Sequence, residues 1–381
     1  MRLLEFWPTY FAFAVLAGSY QPTIRAADPQ SEQVSPHLLA LVTALGDDKF
    51  SSRENATEEL ISAGISALPA LQQGTRHSDR EIRFRSYRII LLVRKNDFQR
   101  RLDSFSKEYD SDSEYDLPGW DEYRQLMGDE PEARSLFVHM QRSESELIAG
   151  VMSNKKSAGD LLTFRTMQIQ NSMRTYRTQL TLGSVATMVF IAGDEDVSLG
   201  QQANSAINSF CYQASFQTAM QNSSTKPIVR KLLGAWIKRG EDWTAYQGLS
   251  LAMRYNLKEG LVPAERILNN PVAQTHVMQY AILTVAKLGN KDYMSLLEKF
   301  LDDKTRVSTR RVDKLTYETQ MRDVALAGLV HLAEQDHKKF GFSQIQKHTT
   351  VLFSTSTLGF KDEKERQVAL TKWKEFRAAE K

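Results

Sequence analysis

FSSRENATEELISAGISALPALQQGTRHSDREIRFRSYRIILLVRK, from Phe50 to Lys95, is the stretch whose reading decides the fold. Ser51 and Glu54 stand at the spacing of a capping box, in which each side chain satisfies the backbone N–H of the other residue. Ala56, Leu60 and Ala63 then recur at three- and four-residue steps, and Gly64 supplies a residue able to leave the helix in a positive-φ conformation. A second short helix carries Leu68 and Leu71 and ends by Gly74, with Pro69 early enough that its missing N–H costs little. Ser78 and Glu81 repeat the capping spacing and open a third helix. Ile82, Ser86, Ile89, Ile90 and Val93 form its apolar face, Phe84, Tyr87 and Leu91 read as a widening of that face, and Glu81, Arg85, Arg88 and Lys95 form a polar strip. So broad an apolar arc calls for neighbours on two sides, the situation of an inner helix in a repeat stack.

Other stretches continue the pattern. Val229, Leu232, Leu233, Trp236 and Ile237 share a face and end at Gly240, after which Trp243, Tyr246, Leu249 and Met253 form the next. Val277, Ala281, Val285 and Leu288 precede Gly289-Asn290, and Tyr293, Leu296, Leu297, Phe300 and Leu301 follow. Val324 to Val330 is apolar on nearly every side and holds Gly328, where a neighbouring helix can approach closely. Val185 to Ala192 reads as a buried helix. The expected fold is all-α, a stack of helical-hairpin repeats of the α-solenoid kind, as one array or two packed helical parts.

The wording of several segments resembles the HEAT-like repeats of exported proteins in planctomycete bacteria. The residues that carry the likeness are Lys49-Phe50, Arg53-Glu54, Ala56, Glu59-Leu60, Gly64, Ala67 to Leu71, Ser78-Asp79, Glu81 to Arg83 and Arg85. Leu117 to Trp120, Met321 to Ala327, Gln335 to Phe342 and Leu358 to Phe360 are similar to the same group. The resemblance implies a helical-repeat fold and export, and it brings no catalytic residues with it.

Residues 1–26 read as a secretory signal: Arg2 is the positive start, Phe6 to Gly18 is an apolar run, and Ile24-Arg25-Ala26-Ala27 offers a small-residue cleavage site. The run falls short of the roughly 20 residues a spanning helix needs, and no later stretch is long enough, so no stable membrane span is expected in the mature chain. The expected location is periplasmic or extracellular. Cys211 is the only cysteine of the 381 residues and sits in an apolar helical pattern, which rules out an intramolecular disulfide and suits a buried thiol. A formal net charge of +3 leaves no field that would call for nucleic acid.

Composition and the resemblance together divide the chain into four segments: the signal at 1–26, N-terminal repeats at 27–103 that the resemblance makes HEAT-like, an acidic linker at 104–118 and a C-terminal helical repeat domain at 119–381. The linker carries Tyr109-Asp110-Ser111-Asp112-Ser113-Glu114-Tyr115-Asp116, without the glycine and terminal glutamate of a calcium loop. Within the C-terminal domain, 302–316 and 343–360 break the apolar rhythm and read as projecting loops.

No nucleophile elbow, phosphate loop, HExxH pair or paired-cysteine motif occurs, so neither a catalytic residue nor a metal or cofactor is assigned, and His331 and His337 lack a third ligand nearby in sequence. The expected function is a non-enzymatic exported scaffold that holds a protein partner. Its contacts are assigned to Arg306, Arg310 and Arg311 in one interruption and to Arg85, Arg88 and Lys95 on the third helix. The alternative is a hydrolase acting on envelope polymers, or a polymer-binding protein, on the same frame, which would require convergent carboxylates or a histidine in a deep pocket.

Overall fold

The computed structural model describes residues 34–240 and 245–380, so the signal read at 1–26 and Trp243 lie outside the described residues. The chain is mostly helical and divides between Glu108 and Tyr109 into two compact units.

The N-terminal unit consists of α1 (Pro36–Ala44), α2 (Phe50–Ala63), α3 (Leu68–Gly74) and α4 (Arg80–Lys107). Its core is Val42, Leu45, Ala56, Leu60, Ala67, Leu71, Ile82, Ile89 and Val93, and each fully buried Leu or Ile contributes about 1.5–3 kcal/mol of apolar transfer. The helix ends differ from the capping-box expectation. Lys49 rather than Ser51 is the residue before α2, and no side chain caps it. Asp79 rather than Ser78 caps α4, its Oδ1 accepting the N–H of Glu81 at 2.7 Å and of Ile82 at 3.2 Å. A carboxylate is favoured there because it satisfies orphan donors and complements the positive helix end. Gly64 leaves α2 at φ 62°, as a helix-terminating glycine should. Helix α4 runs on to Lys107, so Ser104 to Lys107 of the segment read as a linker are helical.

In the C-terminal unit the chain forms α5 (Trp120–Met127), α6 (Pro131–Ser153), α7 (Ala158–Tyr176), α8 (Leu182–Ala192), α9 (Gln201–Phe210), α10 (Ala214–Gln221), α11 (Lys226–Arg239), α12 (Ala245–Tyr255), α13 (Leu261–Leu268), α14 (Thr275–Leu288) and α15 (Met294–Glu298). It then leaves the helical pattern for β1 (Arg306–Val312) and β2 (Leu315–Gln320), and returns in α16 (Met321–Leu332). Two short strands, β3 (Lys347–His348) and β4 (Leu352–Phe353), and a last helix, α17 (Glu363–Glu380), complete it. Helix α8 is buried from Gly183 to Ala192, as Val185 to Ala192 predicted. Cys211 is fully buried, and burial pushes its thiol well above the ordinary range. Phe164 and Met167, by contrast, are exposed.

Helix α16 is the centre of the second core. Met321 to Val330 are all buried, with α14 and α15 against it, and a Cβ on Gly328 would lie 3.1 Å from the Ala286 Cβ and 3.2 Å from the Leu297 Cδ1. A side chain there would have to push both neighbours back by a few tenths of an ångström, so glycine favours this close approach.

The interruptions read as loops are corrected in part. Residues 306–320 form an antiparallel β-hairpin in the register Arg310↔Tyr317, Arg311↔Thr316 and Val312↔Leu315, and β3 pairs with β4 inside 343–360. Val307, Thr309, Val312, Thr316, Tyr317 and Thr319 supply the β-branched and aromatic content of the hairpin, and Asp313 and Lys314, at φ 48° and 69°, form its two-residue turn.

Candidate functional site

On α4, Ile82, Ser86, Ile89 and Val93 face the N-terminal core, but Phe84, Tyr87 and Leu91 do not extend that face. They are 56%, 58% and 50% exposed. At about 100° per residue these three fall within an arc of roughly 60° on the side away from the core, so they form a separate apolar stripe on the same helix. Arg94 lies on one flank of this stripe, with Lys95 and Arg88 on the other, all exposed. The Arg88 guanidinium sits over the Phe84 ring at 5.7 Å and so shields part of it while staying in solvent.

Of the three α4 cations expected to contact a partner, Arg85 has another use. Its Nε donates to Glu81 Oε1 at 2.7 Å and one terminal nitrogen donates to Glu54 Oε1 at 2.8 Å, which ties α4 to α2. Its side chain is 18% exposed, and its hydrogen bonds to Glu54 and Glu81 raise its pKa further. Arg88 and Lys95 remain available beside the stripe. Beyond the end of α2, Ile61, Gly64, Ile65, Val93, Asp97 and Arg100 line a shallow groove of about 400 Å³.

The second expected cluster lies on the hairpin, and the register splits it. Neighbouring residues on a strand point to opposite faces, so Arg310, paired across from half-buried Tyr317, and Arg311, paired across from exposed Thr316, do not share one. Arg306 stands at the base opposite Gln320. None of the three has an ion-pair partner within 4 Å among the described residues.

Three polar clusters in the C-terminal unit have the residue types of catalysis, and in two of them the groups are held by one another. Glu144, where the backbone of α6 departs from helical geometry, is 4% exposed; it accepts from Arg165 Nε at 2.8 Å and from the Ser184 hydroxyl at 2.7 Å, joining α6, α7 and α8. Asp323 is fully buried. It accepts from Arg366 Nε at 2.8 Å and from the Gln320 N–H at 2.8 Å, while Arg366 and Arg322 both donate to Glu363 Oε2 at 2.7 Å. Burial pushes the Asp323 carboxyl up to about 6 despite these donors, whereas hydrogen bonding from Gln367 and Arg366 holds the largely exposed Glu363 at about 2. The cluster clamps α16 to α17 and to β2, since Arg366 also donates to the Glu318 carbonyl at 2.9 Å.

The third cluster is the pair His331 and His337, with ring centroids 6.4 Å apart and Phe353 edge-on to both. His337 Nε2 donates to the Ala327 carbonyl at 2.9 Å. Burial is the main cause that lowers the pKa of both rings, which favours their neutral forms. Among the described residues no three His, Cys, Asp or Glu side chains converge as a metal-binding group, and no helix is long and apolar enough to cross a membrane.

In comparison with known proteins, no family model and no curated sequence matches the chain. The exposed apolar stripe escaped sequence reading because three residues on the far side of a helix are indistinguishable, by type, from core. A finer angular reading separates them: Phe84 and Leu91 lie more than 90° from every one of Ile82, Ser86, Ile89 and Val93 at about 100° per residue.

Proposed function

We propose that the chain is a non-enzymatic, exported scaffold of HEAT-like helical hairpins whose α4 docks a partner protein. The observation that carries this reading is the exposed Phe84–Tyr87–Leu91 stripe, flanked by Arg88, Arg94 and Lys95, on a helix whose opposite face is already buried. Spacing of i, i+3 and i+7 makes a single ridge, the width that one amphipathic helix covers. The occupant that fits is a helix of another protein with an apolar stripe and acidic flanks. A second copy of α4 would bring its own arginines and lysine against these three, and like charges oppose such pairing. The occupied state of Glu144, Asp323 and Glu363, each bound by arginine, supports a scaffold over the hydrolytic alternative. The signal read at 1–26 and the resemblance of Lys49 to Arg83 support export and the repeat class.

The test is cross-linked capture from an envelope fraction of the source cells with the wild-type protein and with a Tyr87→Glu/Leu91→Glu variant, both read by mass spectrometry. A helical protein captured by the wild type and at least tenfold depleted with the variant, at unchanged helical content, supports the proposal. Equal capture by both proteins overturns it, and turnover of an envelope polysaccharide or peptide by the purified protein would replace it with the hydrolytic reading.

A further inference from the structure

The β1–β2 hairpin offers a second surface, separate from α4. Its two-residue turn at Asp313-Lys314 makes the flanking residues Val312 and Leu315 a hydrogen-bonded pair. In an antiparallel ladder such pairs alternate with non-bonded ones, so Arg310 and Tyr317 are bonded, whereas Arg311 and Thr316, and Thr309 and Glu318, turn their backbone N–H and C=O groups outward. An independent contact fixes this phase. Glu318 donates its N–H to the Phe360 carbonyl at 3.1 Å and accepts the Phe360 N–H at 3.2 Å, so the outer edge of β2 is occupied at an outward-facing residue.

The outer edge of β1 has no equivalent. Thr309 and Arg311 present outward backbone groups, and among the described residues no backbone hydrogen bond reaches residues 307–312 from outside the hairpin. The same edge is basic: from Lys304 to Glu318 there are five cations, Lys304, Arg306, Arg310, Arg311 and Lys314, against two acids, Asp313 and Glu318. An edge strand left open is a template for another strand.

We propose that the outer edge of β1 binds an extended acidic peptide as a third strand. Backbone bonds to Thr309 and Arg311 give the peptide its register, and acidic side chains at alternate positions share one face of the added strand, the face of exposed Arg311. A second copy of β1 at this edge would set arginine against arginine.

The experiment measures fluorescence anisotropy of a labelled ten-residue peptide of alternating Glu and Val with the full protein, and of the same peptide with alternate backbone nitrogens methylated on its pairing edge. The expected result is binding of the first peptide and at least tenfold weaker binding of the second, which has the same charge. A Thr309→Pro variant should lose at least tenfold, because proline removes an outward N–H without breaking a rung of the β1–β2 ladder. The Arg306→Ala/Arg310→Ala/Arg311→Ala variant should lose at least tenfold while keeping its helical content and melting midpoint. Equal binding of the two peptides to the wild-type protein overturns the proposal in favour of charge attraction alone, and absence of binding overturns it outright. A peptide-free dimer abolished by Thr309→Pro would assign the edge to a second copy and overturn it as well.

Discussion

Helices α4 and α16 both carry apolar residues on more than one side, and the structure treats them in opposite ways. Every residue of α16 from Met321 to Val330 is buried, and its two charged residues, Arg322 and Asp323, have charged or amide partners from α17 and β2. On α4 the core takes one face and leaves Phe84, Tyr87 and Leu91 in solvent. Apolar breadth on a helix therefore states how many neighbours it could accept. Whether they arrive depends on the chain elsewhere: α14, α15 and α17 close around α16, whereas within the N-terminal unit α1, α2 and α3 supply one face of α4 only.

The contrast is most sharply tested at Asp323. Asp323→Ala leaves Arg366 buried without its one buried carboxylate partner, and the expected cost is about 3–5 kcal/mol, read from chemical denaturation followed by tryptophan fluorescence. Described tryptophans Trp120, Trp236 and Trp373 all lie beyond Glu108 and so report on the C-terminal unit. A loss below 1 kcal/mol would show that the clamp does not hold α16. Next in size, Leu326→Ala on α16 should cost about 2–4 kcal/mol as a buried cavity, against less than about 0.5 kcal/mol for Leu91→Ala on α4. Equal costs for the two would mean that Leu91 is covered in solution.

An intermediate effect is expected from pH. His331 and His337 have folded-state pKa values below the ordinary one, so they bind fewer protons in the folded chain than in the unfolded chain as pH falls. Their contribution is present above about 6.5 and is lost as pH drops through the lowered values. The melting midpoint between pH 7 and pH 5 should fall less in a His331→Gln/His337→Gln variant than in the wild type. An identical slope would exclude the pair as the cause. Asp323 pulls the other way, since a carboxyl raised to about 6 loses stabilisation as pH rises from about 4 through 6, and comparison with the variant separates the two. Among the polar contacts the smallest loss is expected for Arg85→Ala, which should cost about 1 kcal/mol by untying α4 from α2 and should leave partner capture through the stripe intact. Loss of capture without loss of stability would return Arg85 to the binding surface.

Much of the helical content was legible from spacing. Leu60, Ile89, Leu232, Val285 and Leu297 were all assigned to apolar faces, and all are buried. The hairpin at 306–320 was not recognised, because Arg306, Arg310, Arg311 and Lys314 among few large apolar residues have the composition of a loop, while the β-branched Val307, Thr309, Val312 and Thr316 favour a strand. Of the expected contact residues, Arg85 was drawn into a packing clamp by Glu54, 31 residues away. A partner at that distance leaves no local signal.

By itself the sequence determined the mostly helical class, the burial of Val185 to Ala192 and of Cys211, and the deep position of Val324 to Val330, because each follows from side-chain type at a fixed local period. Only the tertiary structure decided that Phe84, Tyr87 and Leu91 stay exposed, that Arg310 and Arg311 point to opposite faces, and that Glu144 and Asp323 are occupied by arginines. Those outcomes depend on which distant segment reaches a given face, and the free energy of that choice belongs to the assembled pair rather than to either segment alone.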